Sequence, residues 1–188
     1  MGPEETIGTE RLVLTPLRVE DADELAEVLG DPQLHEFIGG RPDTVEQLRA
    51  RYAAMTAGPG RADERWRNWV ARRREDGQPV GTVQATLTRD GGRWTAAIAW
   101  VVGVPWQHRG YATEAARALV GWLGGQGVHE IVAHVHPGHL ASAQVAARAG
   151  LQPTPDRVDG EQVWRLPAVR RVTERLCRRE LHGSDEPG

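Results

Sequence analysis

The sequence contains no lysine: all 23 of its basic residues are arginine. Such a chain offers no P-loop lysine, no Schiff-base amine and no lysine general base, which removes several nucleotide and pyridoxal chemistries at once. Cysteine occurs once, at Cys177, so an internal disulfide framework and any Cys-x-x-Cys metal or redox motif are excluded. No apolar run approaches the roughly 20 residues of a membrane span. The start, Met1-Gly2-Pro3-Glu4-Glu5, has neither the basic nor the apolar region of a signal peptide. A cytoplasmic protein without membrane contact is the expectation. An excess of one charge is missing too, since 23 basic against 26 acidic residues give a net charge of −3. That balance speaks against a nucleic-acid partner held by bulk electrostatics.

What is present reads as one α/β domain over residues 1–166, followed by an arginine-rich segment over 167–188. Arg11 to Leu17 has the pattern of a strand, and Ala22, Leu25, Ala26 and Leu29 recur at helical spacing up to Gly30. Thr44-Val45-Glu46-Gln47 has the form of a capping box, with Val45, Leu48, Tyr52 and Met55 on one face of the helix that follows. Strands are expected from Trp66 to Arg73 and from Val80 to Thr88, joined across Asp76-Gly77. After a turn at Asp90-Gly91-Gly92 a third runs from Trp94 to Val102. Ala112, Ala115, Ala116, Leu119, Val120 and Leu123 then mark the clearest helix. A strand from Glu130 to His136, a helix from Leu140 to Ala149 and a strand from Glu161 to Leu166 complete the order β-α-α-β-β-β-α-β-α-β. That order gives a mixed, mostly antiparallel sheet flanked by helices. In the last segment Val169, Val172, Leu176 and Cys177 fall on one helical face, which either docks on the domain or meets a partner.

The junction Gln107-His108-Arg109-Gly110-Tyr111-Ala112-Thr113-Glu114-Ala115 is the most informative stretch, either an anion site or one of the many α/β connections of this form that bind nothing. It joins a strand to a helix through a glycine. The first turn of a helix has N–H donors without intrahelical partners, and the macrodipole adds about half a positive charge, so the junction is suited to phosphate.

Its wording, Gln-x-x-Gly-x-Ala, resembles the acetyl-CoA pyrophosphate loop of the GCN5-related N-acetyltransferase (GNAT) family. The resemblance extends from about Arg11 to Leu166, nearest to the branch that acetylates ribosomal-protein N-termini. It implies a sheet of six to seven strands whose fourth and fifth strands splay around acetyl-CoA. The implied reaction is acetyl transfer from acetyl-CoA, as co-substrate and without a metal, by direct attack of a primary amine. The amine would belong to a small molecule or a peptide N-terminus, and a homodimer is a further expectation, because relatives are often dimers.

Residue by residue, the resemblance assigns cofactor contacts to Gln107, His108, Arg109, Gly110, Tyr111, Ala112 and Thr113, with Glu114 beside them. Val102 and Val104 stand where main-chain groups pair with pantetheine. In His134-Val135-His136-Pro137-Gly138-His139-Leu140-Ala141-Ser142, His139 holds the position of the family's usual asparagine and Ser142 matches its serine. Ser142 is therefore expected at the leaving sulfur, or else bonded to its own backbone. His139 is a candidate base or a cap or loop residue, and His134 is the second base candidate. A metal bound by the three histidines is not expected. Ala97 stands where relatives often carry a glutamate that serves the base. A weak or inactive CoA-binding sensor or scaffold is the alternative which that departure leaves. His35, Glu36 and Phe37, together with Trp66, Trp69, Trp94 and Trp106, fall in or near regions that relatives use around the acceptor; Trp100 and Trp122 suit the core.

Overall fold

The computed structural model describes residues 5–167; the expected tail helix and Cys177 lie outside the described residues. Eight strands form one sheet. In chain order they are β1 (Ile7–Gly8), β2 (Leu12–Pro16), β3 (Glu64–Arg73), β4 (Pro79–Asp90), β5 (Arg93–Val102), β6 (Glu130–Val135), β7 (Gln152–Val158) and β8 (Glu161–Arg165). Across the sheet they run β1-β2-β3-β4-β5-β6-β8-β7. Among the described residues only β5 and β6 pair in parallel, as the helical crossover between them requires.

Two helical layers cover the sheet. On one face α4 (Tyr111–Gly125) buries Ala115, Ala116, Leu119 and Leu123 against Trp69, Val83, Leu87, Ala96 and Ile98, with α5 (Leu140–Arg148) beside it. On the other, α1 (Ala22–Leu29) and α3 (Val45–Ala57) enclose a smaller cluster of Leu17, Ala22, Leu25, Leu48, Tyr52 and Val70. A single helical turn, α2 (His35–Ile38), lies between them in sequence. None of the helices in the described residues is long and apolar enough to cross a membrane.

The elements form for local reasons. Thr44 and Gln47 close the expected capping box reciprocally: the Gln47 N–H donates to the Thr44 hydroxyl at 3.3 Å, and the Thr44 N–H donates to the Gln47 side chain at 2.9 Å. Thr44→Ala should therefore lower stability by about 1 kcal/mol, read as a shifted denaturation midpoint with an unchanged slope.

Two strands escape the sequence pattern. β1 has two residues, too few for an alternation, and exists because Ile7 pairs with Leu14. β7 contains Pro153 and Pro155 and is exposed along most of its length. It is tolerated because it is an edge strand, paired only with β8 and broken in register between Pro153 and Arg157. With β1 counted, the splayed pair is the fifth and sixth strands.

Candidate active site

The site begins where β5 and β6 part. Their pairing covers Thr95↔Glu130, Ala96↔Ile131 and Ala97↔Val132, while β5 continues to Val102 and β6 to Val135. Beyond Ala97 the two strands share no further pairs, and the end of β6 is held by β8 instead. The N–H of Gly103 donates to the Val80 carbonyl at 2.9 Å, which fixes the parity of the antiparallel β4–β5 ladder. Hydrogen-bonded pairs alternate, so Val101 and Ala99 exchange bonds with β4, whereas Trp100 and Val102 turn their main-chain groups toward the gap. Val102, one of the two expected pantetheine contacts, is thus among the residues whose main-chain groups face the gap. Val104, the other, lies in a short 3-10 turn, Val104–Trp106, where the chain bends at Gly103. Gly103 is required there, since a Cβ would stand 2.6 Å from the Val28 carbonyl of α1.

Gln107 donates its side-chain amide to the Val102 carbonyl at 3.1 Å and its N–H to Val104 at 3.2 Å, closing the end of the strand. His108 (φ +59°) and Gly110 (φ +82°) both adopt left-handed backbone, and Gly110 is the N-cap of α4. The first intrahelical bond runs from Glu114 to Gly110 at 3.0 Å. The N–H groups of Tyr111, Ala112 and Thr113 therefore point out of the helix end without helical partners. Such a run of donors is a concavity for an anion.

The side chains around this cradle differ from the loop read as a string. The ring of Tyr111 is 9% exposed and belongs to the core, leaving only its main-chain N–H at the helix end. The Glu114 carboxylate does not face the loop. It accepts from the Thr9 hydroxyl (2.6 Å), the Arg11 N–H (2.7 Å) and Arg11 Nε (2.7 Å). Burial alone would raise the Glu114 pKa, but these bonds and the Arg11 charge hold it below the ordinary value. Arg109 lies over one side of Trp106 at 5.2 Å, and Arg73 over the same ring at 4.7 Å. Arg73 is committed to Asp76, so Arg109 is the cation beside the loop that has no carboxylate partner among the described residues. By contrast, a cleft of about 640 Å³ behind Trp106 is lined by Asp23, Glu24, Glu27 and Asp76, an environment hostile to phosphate.

On the far side of the gap, α2 reaches the β6–α5 turn. Phe37 stacks on His139, with ring centres 4.3 Å apart and planes 5° apart, and touches His136 at 5.6 Å. His139 occupies the N-cap of α5, yet its side chain makes no capping bond. Its pKa is lowered, first by burial and then by neighbouring His136, against the opposing charge of Glu36. His136 Nδ1 accepts from the Gly138 N–H at 3.1 Å. Ser142 is half-buried in the first turn of α5, and among the described residues its hydroxyl has no hydrogen-bond partner. His134 is exposed on the face of β6 opposite the buried Ile131, Ala133 and Val135. The three histidines therefore do not converge; no group of His, Cys, Asp or Glu among the described residues is arranged to hold a metal ion.

The register exposes a feature that the sequence reading did not single out. Trp66↔Thr86↔Ala97↔Val132 and Asn68↔Gln84↔Ala99 form two rows across the sheet on the face shared with α1 and α3. Gln84 and Ala99 are exposed although their strands are central, so the helical layer stops short of them. The small Ala97 and Ala99 leave a shallow floor between Trp66 and His134. The alternation Thr82, Gln84, Thr86, Thr88 was its signal, since it marks one polar face of β4. A cavity of about 450 Å³ adjoins this region, bordered by His35, Arg41, Arg51 and Val101. Of the four tryptophans expected near an acceptor, only Trp66 lies on the open face. Trp69 is fully buried, edge-on to Trp122 at 5.0 Å, with Nε1 donating to the Glu5 carbonyl. Trp94 packs on the α4-side core beneath Arg65 and Arg89, and Trp106 packs against the same core with Arg73 and Arg109 over its ring. Trp100 and Trp122 pack against the core as expected.

Comparison with known proteins agrees with this architecture. No curated protein matches the chain in sequence. Among solved structures, RimL, a ribosomal alpha-N-protein acetyltransferase in complex with coenzyme A, superposes with a TM-score of 0.71 at 15% identity, covering 86% of this chain and 97% of its own. The aminoglycoside acetyltransferase AAC(6')-Ib, in complex with paromomycin and acetyl-CoA, gives 0.68 at 22% identity over 92% and 100%. An acetyltransferase from Agrobacterium tumefaciens gives 0.67 at 25% identity over 88% and 95%. The acetyltransferase (GNAT) domain itself matches residues 11–152, a span that contains the parted strands, the cradle and the His139–Ser142 turn, and on that match the chain belongs to the GNAT acetyltransferase family.

Proposed function

We propose that this protein transfers an acetyl group from acetyl-CoA to a primary amine, on a small molecule or a protein N-terminus, by direct attack in a ternary complex. The observation that carries the reading is a coincidence of place: the unpartnered N-terminus of α4 stands at the end of the same strand, β5, whose Trp100 and Val102 main-chain groups face the opened gap. The cradle fits a pyrophosphate, with N–H donors at Tyr111, Ala112 and Thr113, Arg109 beside them and a glycine at the left-handed N-cap of α4. Val102 and Trp100 would hold the pantetheine arm as an added strand.

Acetyl-CoA supplies an activated thioester, in which a C–N bond to the amine forms as the C–S bond breaks. The chain's tasks are to align two substrates, to take a proton from the ammonium and to return one to the departing thiolate. Alignment is the largest of these, worth on the order of 7–11 kcal/mol for well-held partners. His139 is the proton acceptor in this reading. Its lowered pKa keeps it neutral, and hence basic, at pH values where an ordinary histidine is already charged. Ser142, three residues on and with its hydroxyl uncommitted among the described residues, is the donor to sulfur. His134 is the second base, on the open face beside Ala99. The acceptor lies over Ala97, Ala99 and Gln84, between Trp66 and α2, where Glu36 draws an ammonium group.

Calorimetric titration with acetyl-CoA, followed by thiol release with pooled amines and dipeptides, tests the proposal. Binding with release in one pool is expected; absence of binding would refute it. Ala97 favours a second reading, a CoA-binding sensor or scaffold, because the carboxylate many relatives carry there is missing. Binding without release across all pools would select it. Within the catalytic reading, Ser142→Ala should reduce kcat about 10-fold to 100-fold while acetyl-CoA affinity stays within about twofold. An unchanged rate would remove Ser142 from the mechanism.

A further inference from the structure

We infer that Arg11 is a positioning residue for the cofactor loop, clamping the Arg109 carbonyl to the Glu114 carboxylate so that the cradle is set before its ligand arrives. The inference rests on the acetyl-CoA reading above, and the evidence for it is geometric. Arg11 Nη1 donates to the Arg109 carbonyl at 3.0 Å, while Nε and Nη2 both meet Glu114 Oε2 at 2.7 Å. The guanidinium also lies 4.8 Å from the centre of the Tyr111 ring. A Cβ built on Gly110 would come within 3.3 Å of its Nη2, so the clamp passes directly beneath the left-handed residue. Every one of these partners belongs to the loop or to the first turn of α4.

Two consequences for binding follow. The Arg109 carbonyl sits on the same backbone as the cradle N–H groups, so fixing it fixes the peptide planes that aim them. Charge matters as well. Glu114 sits in the first turn of α4, where an unpaired carboxylate would oppose an incoming pyrophosphate. Arg11 neutralises it, leaving the helix end and Arg109 as the field the ligand meets.

Stability depends little on this clamp. The Arg11 side chain is 46% exposed and that of Glu114 16%, so the guanidinium end of the pair is open to solvent screening. The Arg11 N–H and the Thr9 hydroxyl would still hold Glu114 in an Arg11→Ala variant. A clamp that acts on the loop is thereby separable from one that merely supports the fold.

The test titrates acetyl-CoA by calorimetry into the full-length wild type, Arg11→Ala, Arg11→Lys and Arg11→Ala/Glu114→Gln, with melting temperatures on the same samples. Arg11→Ala should weaken binding about 10-fold to 100-fold with melting within about 3 °C of wild type. Lysine restores the charge without the planar fork and should recover part of the loss. Adding Glu114→Gln should recover part of it too, because the unpaired carboxylate is gone. Unchanged affinity in Arg11→Ala, or a loss matched by a large fall in melting temperature, overturns the clamp while the acetyl-CoA reading stands. A wild type that does not bind acetyl-CoA overturns both.

Discussion

Gly110→Val should abolish measurable acetyl-CoA binding while leaving a folded protein. Gly110 holds φ +82° at the N-cap of α4, a conformation that a β-branched residue adopts only under strain of about 1–3 kcal/mol. The chain can relieve that strain only by turning the peptide planes of the loop, and those planes carry the cradle donors. The new Cβ also comes within 3.3 Å of the Arg11 guanidinium, so the group that anchors Arg109 and Glu114 must shift as well. Gly92→Val is the matched control. Gly92 has φ +83° in the β4–β5 turn with nothing within 4 Å of its Cβ position, so it should show a similar loss of melting temperature with intact affinity. Equal affinity in the two variants would show that the loop does not hold the cofactor.

His139→Ala should lower kcat on the order of 10²- to 10⁴-fold, the range expected for loss of a positioned base, with acetyl-CoA affinity within about twofold. The pH profile adds a sign that a structural role would not give. Burial lowers the His139 pKa, with His136 adding to the shift, so the acid limb of kcat should lie below the ordinary histidine value of about 6.5. Phe37 supplies part of that burial by stacking on the ring at 4.3 Å. Phe37→Ala should move the acid limb to higher pH, because a better-hydrated imidazole protonates sooner as the pH falls. If His139→Ala retains both the rate and the limb, the base is elsewhere, with His134 the next residue to replace.

Much of the fold was legible because its signals are local. The α4 periodicity, the Thr44–Gln47 box and the β3–β4 hairpin turn each depend on residues a few positions apart. β1 and β7 were not legible, since one is two residues long and the other, interrupted by Pro153 and Pro155, is a strand only through its pairing with β8. The cradle was legible as a string, but its side chains were not. Tyr111 and Glu114 look like loop residues in sequence; one ring enters the core and one carboxylate turns to Thr9 and Arg11, 105 and 103 residues away. Nothing near Arg11 announces that partner.

The sequence by itself determined the type and order of most elements, the place of the helix N-terminus and the absence of lysine and Cys-x-x-Cys chemistry, because propensity, periodicity and composition act along the chain. Only the tertiary structure decided which face of β4 and β5 stays uncovered, which tryptophans fill the core, and that Phe37 crosses to His139. Those depend on strand register and on where the helical layer ends, and both are fixed by contacts between residues far apart in the chain.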